Sequence, residues 1–481
     1  MNVYLAGLLT YSVLLMGVGI FVSRRVKRSS DFLVAGRSLG PGLIFTTFLA
    51  ANIGAGSTVG ATGLGYQFGL SAWWWVGSAS IGTFILSQFL GPRLWRLAKQ
   101  YSLSTMGDYL ELRYNKAVKG VIAVLLWVGT LAILAGQLIA ISWILNVVIG
   151  LPKWAGCAVG GTVAVVYCSA GGLMAAAVVN VVELVMTMSG LLLAVPFAIH
   201  ALGGWSHLTH QVTTSIPNSQ YLFSFTGIGF KRIFAYVAIL TPSFMVSPGL
   251  AQKLYGARDD KTVRIGVGIN SIAQAGFAAV PAVLGLCALA AYPHLANSEL
   301  ALPTVMMKLL PKWLGIWALA SIFSAELSAT DAILFMLSTS LVVDLYKTFL
   351  NPQVSEKRLL RVSRGAAVFA GISGVLLASV LPSIIAAVSI FYALLAVALF
   401  VPVVAGLYWR KVTATVALIT IGGAITGMLT ASYLTHGKGW SFLSPQAIGI
   451  LTAAVLVVVL TLLFPARLGA SVAPSAADSE S

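Results

Sequence analysis

The sequence predicts an all-α polytopic membrane protein with about thirteen transmembrane helices. Three observations carry this. Of 481 residues, 58% are hydrophobic and only 9% charged, whereas a soluble domain carries about 25% charged residues. The apolar residues form continuous runs of about twenty, the length that crosses a bilayer. The basic residues sort into alternate loops between those runs. A chain this apolar cannot bury its surface as a globule, which excludes a soluble enzyme, a disordered chain and a secreted module. An outer-membrane barrel is excluded as well, because its strands alternate apolar and polar residues.

The candidate spans are 4–22, 41–60, 71–98, 120–149, 153–170, 174–201, 230–250, 262–291, 313–346, 362–382, 384–408, 412–434 and 446–465. Within 362–408 the split rests on the turn signal Leu381-Pro382-Ser383. With the N-terminus outside, only Lys153, Lys231, Arg232, Lys308, Lys312 and Lys438 of the 29 basic residues face outward. The rest fall in inside loops, and no Lys or Arg is expected in mid-membrane. This distribution predicts a cytoplasmic C-terminus and a multi-pass protein of a bacterial inner membrane. It also accounts for the net charge of +16 without nucleic acid. The first helix does not read as a cleaved signal peptide, since Arg24-Arg25 follow it and no basic residue precedes it. Residues 1–465 read as one transmembrane domain and 466–481 as a disordered cytoplasmic tail. Cys157, Cys168 and Cys287 lack metal-ligand spacing and read as small core residues.

Two spans carry breaking residues. The second reads FLAANIGAGSTVGATGLGY, with Gly54, Gly56 and Gly60. The seventh reads AYVAILTPSFMVSPGLAQKLYG, with Pro242 and Pro248, each of which removes a backbone donor. Both are expected to unwind, which would free carbonyls for a cation and turn half-helix ends toward a solute. Close helix packing is the other reading of the glycines. The breaks lie five spans apart, each opening a five-helix block. This predicts inverted repeats at 41–201 and 230–408, with an extra helix 4–22 before and extra helices in 412–465 after.

The acids at depth are Glu183, Glu326 and Asp331, and buried charge in a membrane is costly and commonly functional. On the span 313–346, Ser321, Ser324, Ser328, Asp331 and Ser338 form one stripe at about 100° per residue. Such oxygens are hard ligands suited to Na⁺. Glu326 lies on the opposite side and reads as a carboxyl bonded to a neighbouring helix, with a proton path as the other reading. Asn180, Glu183 and Thr187 share a face of 174–201, for interhelical bonding or function. Gln137 reads equally as solute contact or helix glue, and Asn270 and Gln274 as glue. Trp73-Trp74-Trp75 reads as an interfacial anchor, one ring of which could line an outer vestibule.

Four segments carry a resemblance to the sodium:solute symporter family. These are DFLVAGRSLG at 31–40, AANIGAGSTVGATGLGYQFGLSAWW from Ala50, AGGLMAAAVVNVVELV from Ala170 and AELSATDAILFMLSTSLVVDLYK from Ala325. Together they span roughly residues 1–465 in family order. The resemblance implies a LeuT-like fold and a sodium site at the carbonyls of Ala50, Ile53 and Ala325 with the hydroxyl of Ser328. The family's second hydroxyl falls on Ala329, a departure. A second sodium site needs an Asp where this chain has Asn180, while the family's Gln one turn on is Glu183. Solute contacts implied are Asn52, Gly54, Ser57, Trp75, Val76 and Tyr236. An apolar residue at Val76 argues against a polyol.

The reading is therefore a secondary active transporter that carries a small organic solute, an amino acid, vitamin-like acid or sugar, into the cytoplasm with Na⁺. No other cofactor, no transition metal and no catalytic residue is expected, and a monomer in the lipid bilayer suffices. Two alternatives remain at this point. One is proton coupling through Glu183, Glu326 or Asp331. The other is a non-transporting membrane sensor.

Overall fold

Backbone amides in a bilayer must be satisfied within the chain, so apolar runs of this length become helices. The computed structural model describes residues 3–23, 37–168, 173–351 and 353–464, except for the side chains at 15, 16, 18–23, 166–168, 173–180, 343, 356, 357 and 360. Residues 31–36 of the first family-like segment and the tail 466–481 lie outside these described residues. Among the described residues there is no strand, only the isolated bridges Leu39 with Ala257 and Trp440 with Leu443.

The helices in order are α1 (Val3–Ser23), α2 (Pro41–Asn52), α3 (Val59–Phe68), α4 (Trp73–Ile85), α5 (Gly91–Gln100), α6 (Met106–Arg113) and α7 (Lys116–Ile149). Next come α8 (Lys153–Cys168), α9 (Leu173–Ala201), α10 (Trp205–Ser215), α11 (Phe230–Val246), α12 (Pro248–Tyr255), α13 (Asp260–Phe277) and α14 (Ala279–Ala291). The last are α15 (Ala301–Thr304), α16 (Lys312–Thr339), α17 (Glu356–Val380), α18 (Ile384–Leu394), α19 (Phe400–Tyr408), α20 (Ala414–Leu434) and α21 (Pro445–Leu463). A π-helical turn, Leu86–Leu90, joins α4 to α5, another joins α18 to α19, and α16 runs on as a π-helix to Leu350.

Among the described residues, nine helical stretches are long and apolar enough to cross a membrane. The other expected passes correspond to α1, the broken pair α2–α3, the interrupted α4–α5 and the 16-residue α8. The split at 381–383 is present, and Ser383 caps α18 by accepting from Ala386 N–H at 3.1 Å.

The two breaks differ from expectation in one respect. The first spans residues 53–58, between α2 and α3, and includes Gly54 and Gly56. The second is at Ser247 and Pro248 alone, where the backbone turns extended at ψ 122°. Pro242 sits inside α11 without ending it. Neighbouring hydroxyls tie this stretch to other helices: Thr241 Oγ1 donates to Ser78 O at 2.9 Å, and Ser243 Oγ to Tyr392 O at 2.7 Å. A proline in a membrane helix is tolerated where such partners exist.

A second correction concerns charge. Lys253, expected in an inside loop, is buried within α12, and its Nζ donates to Thr47 O on α2 at 3.0 Å. Lys119 is also buried, with Nζ 3.0 Å from both Asp108 Oδ1 and Glu111 Oε2 and 3.7 Å from Asp344 Oδ1. Lys119 pairs with carboxylates and Lys253 with a backbone carbonyl of α2, tertiary partners that hydropathy averaging does not register.

Candidate ion and solute site

The first break is closed on itself by Ser57. In a continuing helix Gly54 N–H would bond Ala50 C=O, but it donates to Ser57 Oγ at 3.0 Å. Ser57 N–H would likewise bond Ile53 C=O, but it donates to Gly54 O at 2.9 Å. Ala55 N–H turns to Gln137 Oε1 on α7 at 2.8 Å. The carbonyls of Ala50 and Ile53 thus lose their helical donors, as helix ends do. Gly54 is required here by close approach, because a Cβ on it would lie 2.8 Å from Ala329 Cβ and 3.0 Å from Gln137 Oε1.

These two residues line a small cavity together with Glu183, Leu184 and Thr187 of α9 and Ala325 and Ser328 of α16. The end of α2 and the faces of α9 and α16 meet there. Glu183 is 1% exposed, and its carboxyl is hydrogen-bonded to Ser328. Four of the five residues expected at a sodium site, Ala50, Ile53, Ala325 and Ser328, are therefore brought together. Ala329 faces Gly54 and is not among the lining residues. Of the rest of the hydroxyl stripe, Ser321 donates to Met186 O at 2.7 Å and Ser324 to Glu183 O at 3.5 Å. Those two fasten α16 to α9. Tyr11 of α1 donates its hydroxyl proton to Ser324 Oγ.

The other acids are placed differently. Glu326 is fully buried, and its Oε1 accepts from Thr58 Oγ1 at 2.7 Å, holding the start of α3 against α16. Asp331 and Glu183 both interact electrostatically with Lys253. The side chain of Asn180 lies outside the described residues.

Beyond the break an aromatic wall forms. Trp75 Nε1 donates to Gly56 O at 2.9 Å. Its ring meets Tyr236 edge-on at 5.3 Å and Tyr392 at 6.3 Å between centroids. Val76 is buried beside it in α4. Of the Trp run, Trp73 and Trp74 instead bond Ala275 O and Phe225 O at 3.0 and 2.9 Å. Asn52 Nδ2 donates to Gln274 Oε1 at 3.3 Å, which also accepts from Thr83 Oγ1 at 3.3 Å. Asn52 and Ser57 thus serve the protein's own bonding. Sequence reasoning missed Leu184, Lys253 and Tyr392. Tyr392 had one signal, as the sole hydroxyl-bearing aromatic of its apolar span before Tyr408.

Away from the break, Glu299 accepts from Ile384 N–H at 2.6 Å and Trp143 Nε1 at 2.9 Å, so one side chain ties α7 to the start of α18.

The sodium:solute symporter family profile matches residues 32–431. The chain is 27% identical over 454 residues to the sodium/pantothenate symporter of Escherichia coli (strain K12), covering 88% of this chain and 89% of that protein. It is 24% identical to the sodium/glucose cotransporter of Vibrio parahaemolyticus, covering 88% and 84%. It is also 24% identical to the high-affinity proline transporter PutP of Bacillus subtilis (strain 168), covering 91% and 96%. A Na⁺-coupled sialic acid symporter solved in a substrate-bound outward-open state matches with TM-score 0.81 at 17% identity, covering 98% of this chain and 99% of that one. The nucleobase-cation-symport-1 family transporter Mhp1 matches with TM-score 0.59 at 12% identity, covering 91% and 94%. These structural likenesses show the LeuT-like fold. Neither the proton-coupled nor the sensor alternative is favoured by these relatives. The chain belongs to the sodium:solute symporter family and is a membrane-spanning, sodium-coupled symporter of a small solute.

Proposed function

We propose that this protein carries a small organic solute into the cytoplasm by alternating access, with Na⁺ held among Ala50, Ile53, Ala325 and Ser328. The carrying observation is that the carbonyls of Ala50 and Ile53 lose their helical donors at a cavity that Ser328 also lines. Carbonyl and hydroxyl oxygens replace the hydration shell of a hard monovalent cation. The ion then stabilises the unwound segment whose other face, at Gly56, meets Trp75. This is how ion occupancy would raise solute affinity, a coupling that works in both directions.

The solute would lie against Trp75, Tyr236 and Tyr392, with Val76 behind them. This wall suits an amino acid or vitamin-like acid better than a polyol, although relatives include pantothenate, glucose and proline carriers. The repeats are assigned to 41–201 and 230–408, the N-terminus to the outside and the C-terminus to the cytoplasm of a bacterial inner membrane. A monomer in the bilayer suffices, and no residue is assigned a catalytic role.

The test is thermal stability of the purified protein against a panel of amino acids, vitamin-like acids and sugars, with and without Na⁺. A ligand of the folded state raises stability by mass action. Stabilisation by one solute class only when Na⁺ is present is the expected result. Stabilisation indifferent to Na⁺ would count against coupling.

A further inference from the structure

The sequence offered Glu183 as a partial substitute for the charge missing at a second ion site, or as part of a proton path. The structure places it in the wall of the cavity that Ala50, Ile53, Ala325 and Ser328 also line. We infer that the Glu183 carboxylate is a direct ligand of the coupling cation; this rests on the sodium-site reading above.

Three observations support it. First, Glu183 is 1% exposed and hydrogen-bonded to Ser328, so its oxygens reach the hydroxyl that the ion would use. Second, Ala329 offers no oxygen and packs toward Gly54. A cation held by three carbonyls and one hydroxyl would be short of ligands, and Glu183, one helix away, supplies both an oxygen and a charge. Thr187, one turn further along α9, also lines the cavity, though its hydroxyl donates to Ser321 O at 3.2 Å. Third, Glu183 interacts electrostatically with Asp331 and Lys253, and a cation beside it offsets the negative charge of a buried carboxylate. A buried site of this kind is stable when charge and hydrogen bonds are both compensated.

A kinetic consequence follows. With an anionic ligand, the empty site moves through the membrane carrying negative charge and the loaded site moves neutral. Membrane potential then acts on the return of the empty carrier rather than on the loaded step.

The test is ²²Na⁺ binding to purified protein, together with charge movement in proteoliposomes, for wild type, Glu183→Gln, Glu183→Asp and Ser328→Ala. Glu183→Gln is expected to weaken Na⁺ binding by about ten-fold or more, since it removes a charged ligand. Glu183→Asp should fall between the two, which keeps the test open if the Gln variant is unstable. The voltage dependence of the empty-carrier step should vanish in Glu183→Gln. Wild-type Na⁺ affinity in Glu183→Gln, with weakened binding in Ser328→Ala, overturns the Glu183 assignment and leaves the sodium site standing. Wild-type affinity in both variants overturns the sodium site itself, and this inference with it.

Discussion

Gln137 on α7 and Ala55 in the first helix break are joined by a hydrogen bond of 2.8 Å from the backbone N–H to Gln137 Oε1. No helical acceptor remains for that amide, because the chain has left helical geometry at Ile53. Replacing the acceptor by Gln137→Leu strands a buried donor, at a cost of about 1–3 kcal/mol. The variant is expected to lose thermal stability and solute affinity together. Gln137→Glu, which keeps an oxygen there, should recover most of both. Equal stability of Gln137→Leu and wild type in a detergent melt would contradict this.

Ser328 contributes the one hydroxyl of the proposed ion site. Loss of a single neutral ligand is worth about 1 kcal/mol, or roughly five-fold in affinity. Ser328→Ala should therefore raise the Na⁺ concentration for half-maximal uptake by about that factor. A Na⁺ titration of uptake at fixed solute measures it.

Lys253 Nζ bonds Thr47 O and interacts electrostatically with Glu183 and Asp331, so a positive charge there would oppose a cation at the proposed site. Lys253→Gln keeps a donor of similar reach and removes the charge. The expected result is tighter Na⁺ binding, read as a lower half-saturating concentration. Weaker binding would mean that Lys253 organises the site rather than offsetting its charge.

One sodium should travel per solute. Asn180 is a neutral amide at the position where the family resemblance implies a carboxylate for a second sodium site. Solute accumulation titrated against membrane potential in proteoliposomes gives the ratio, and a value near two would refute this.

Glu299 lies outside the membrane-spanning helices, and burial holds its carboxyl above the ordinary value of 4.5, although hydrogen bonds from Trp143 and Ile384 pull it back. A carboxyl raised on folding binds its proton more tightly in the native state, so its stabilising effect is full at low pH and declines as pH rises through that raised value. Glu299→Gln should flatten this part of the pH dependence of thermal stability. At low pH it should cost stability, since the amide NH₂ group replaces one of the two oxygens that accept from Ile384 N–H and Trp143 Nε1. An unaltered pH slope would show that another group controls it.

The sequence by itself determined the class of this protein. Apolar runs of span length, their loop charges and the Gly54–Gly56 and Pro248 signals are local properties that follow from what a bilayer permits. They sufficed to place the first break and to draw Ala50, Ile53, Ala325 and Ser328 to one site through family likeness. The tertiary structure decided what local patterns cannot express. Pro242 does not break its helix, because Thr241 and Ser243 bond across to Ser78 and Tyr392, residues far away in the chain. Lys253 is buried because Thr47 O faces it, although its sequence neighbours suggest a loop. Glu183 joins the first cavity rather than a second, because helix rotation sets which face of α9 meets α16. Periodicity gives the face a residue occupies, whereas packing alone gives the partner that face meets.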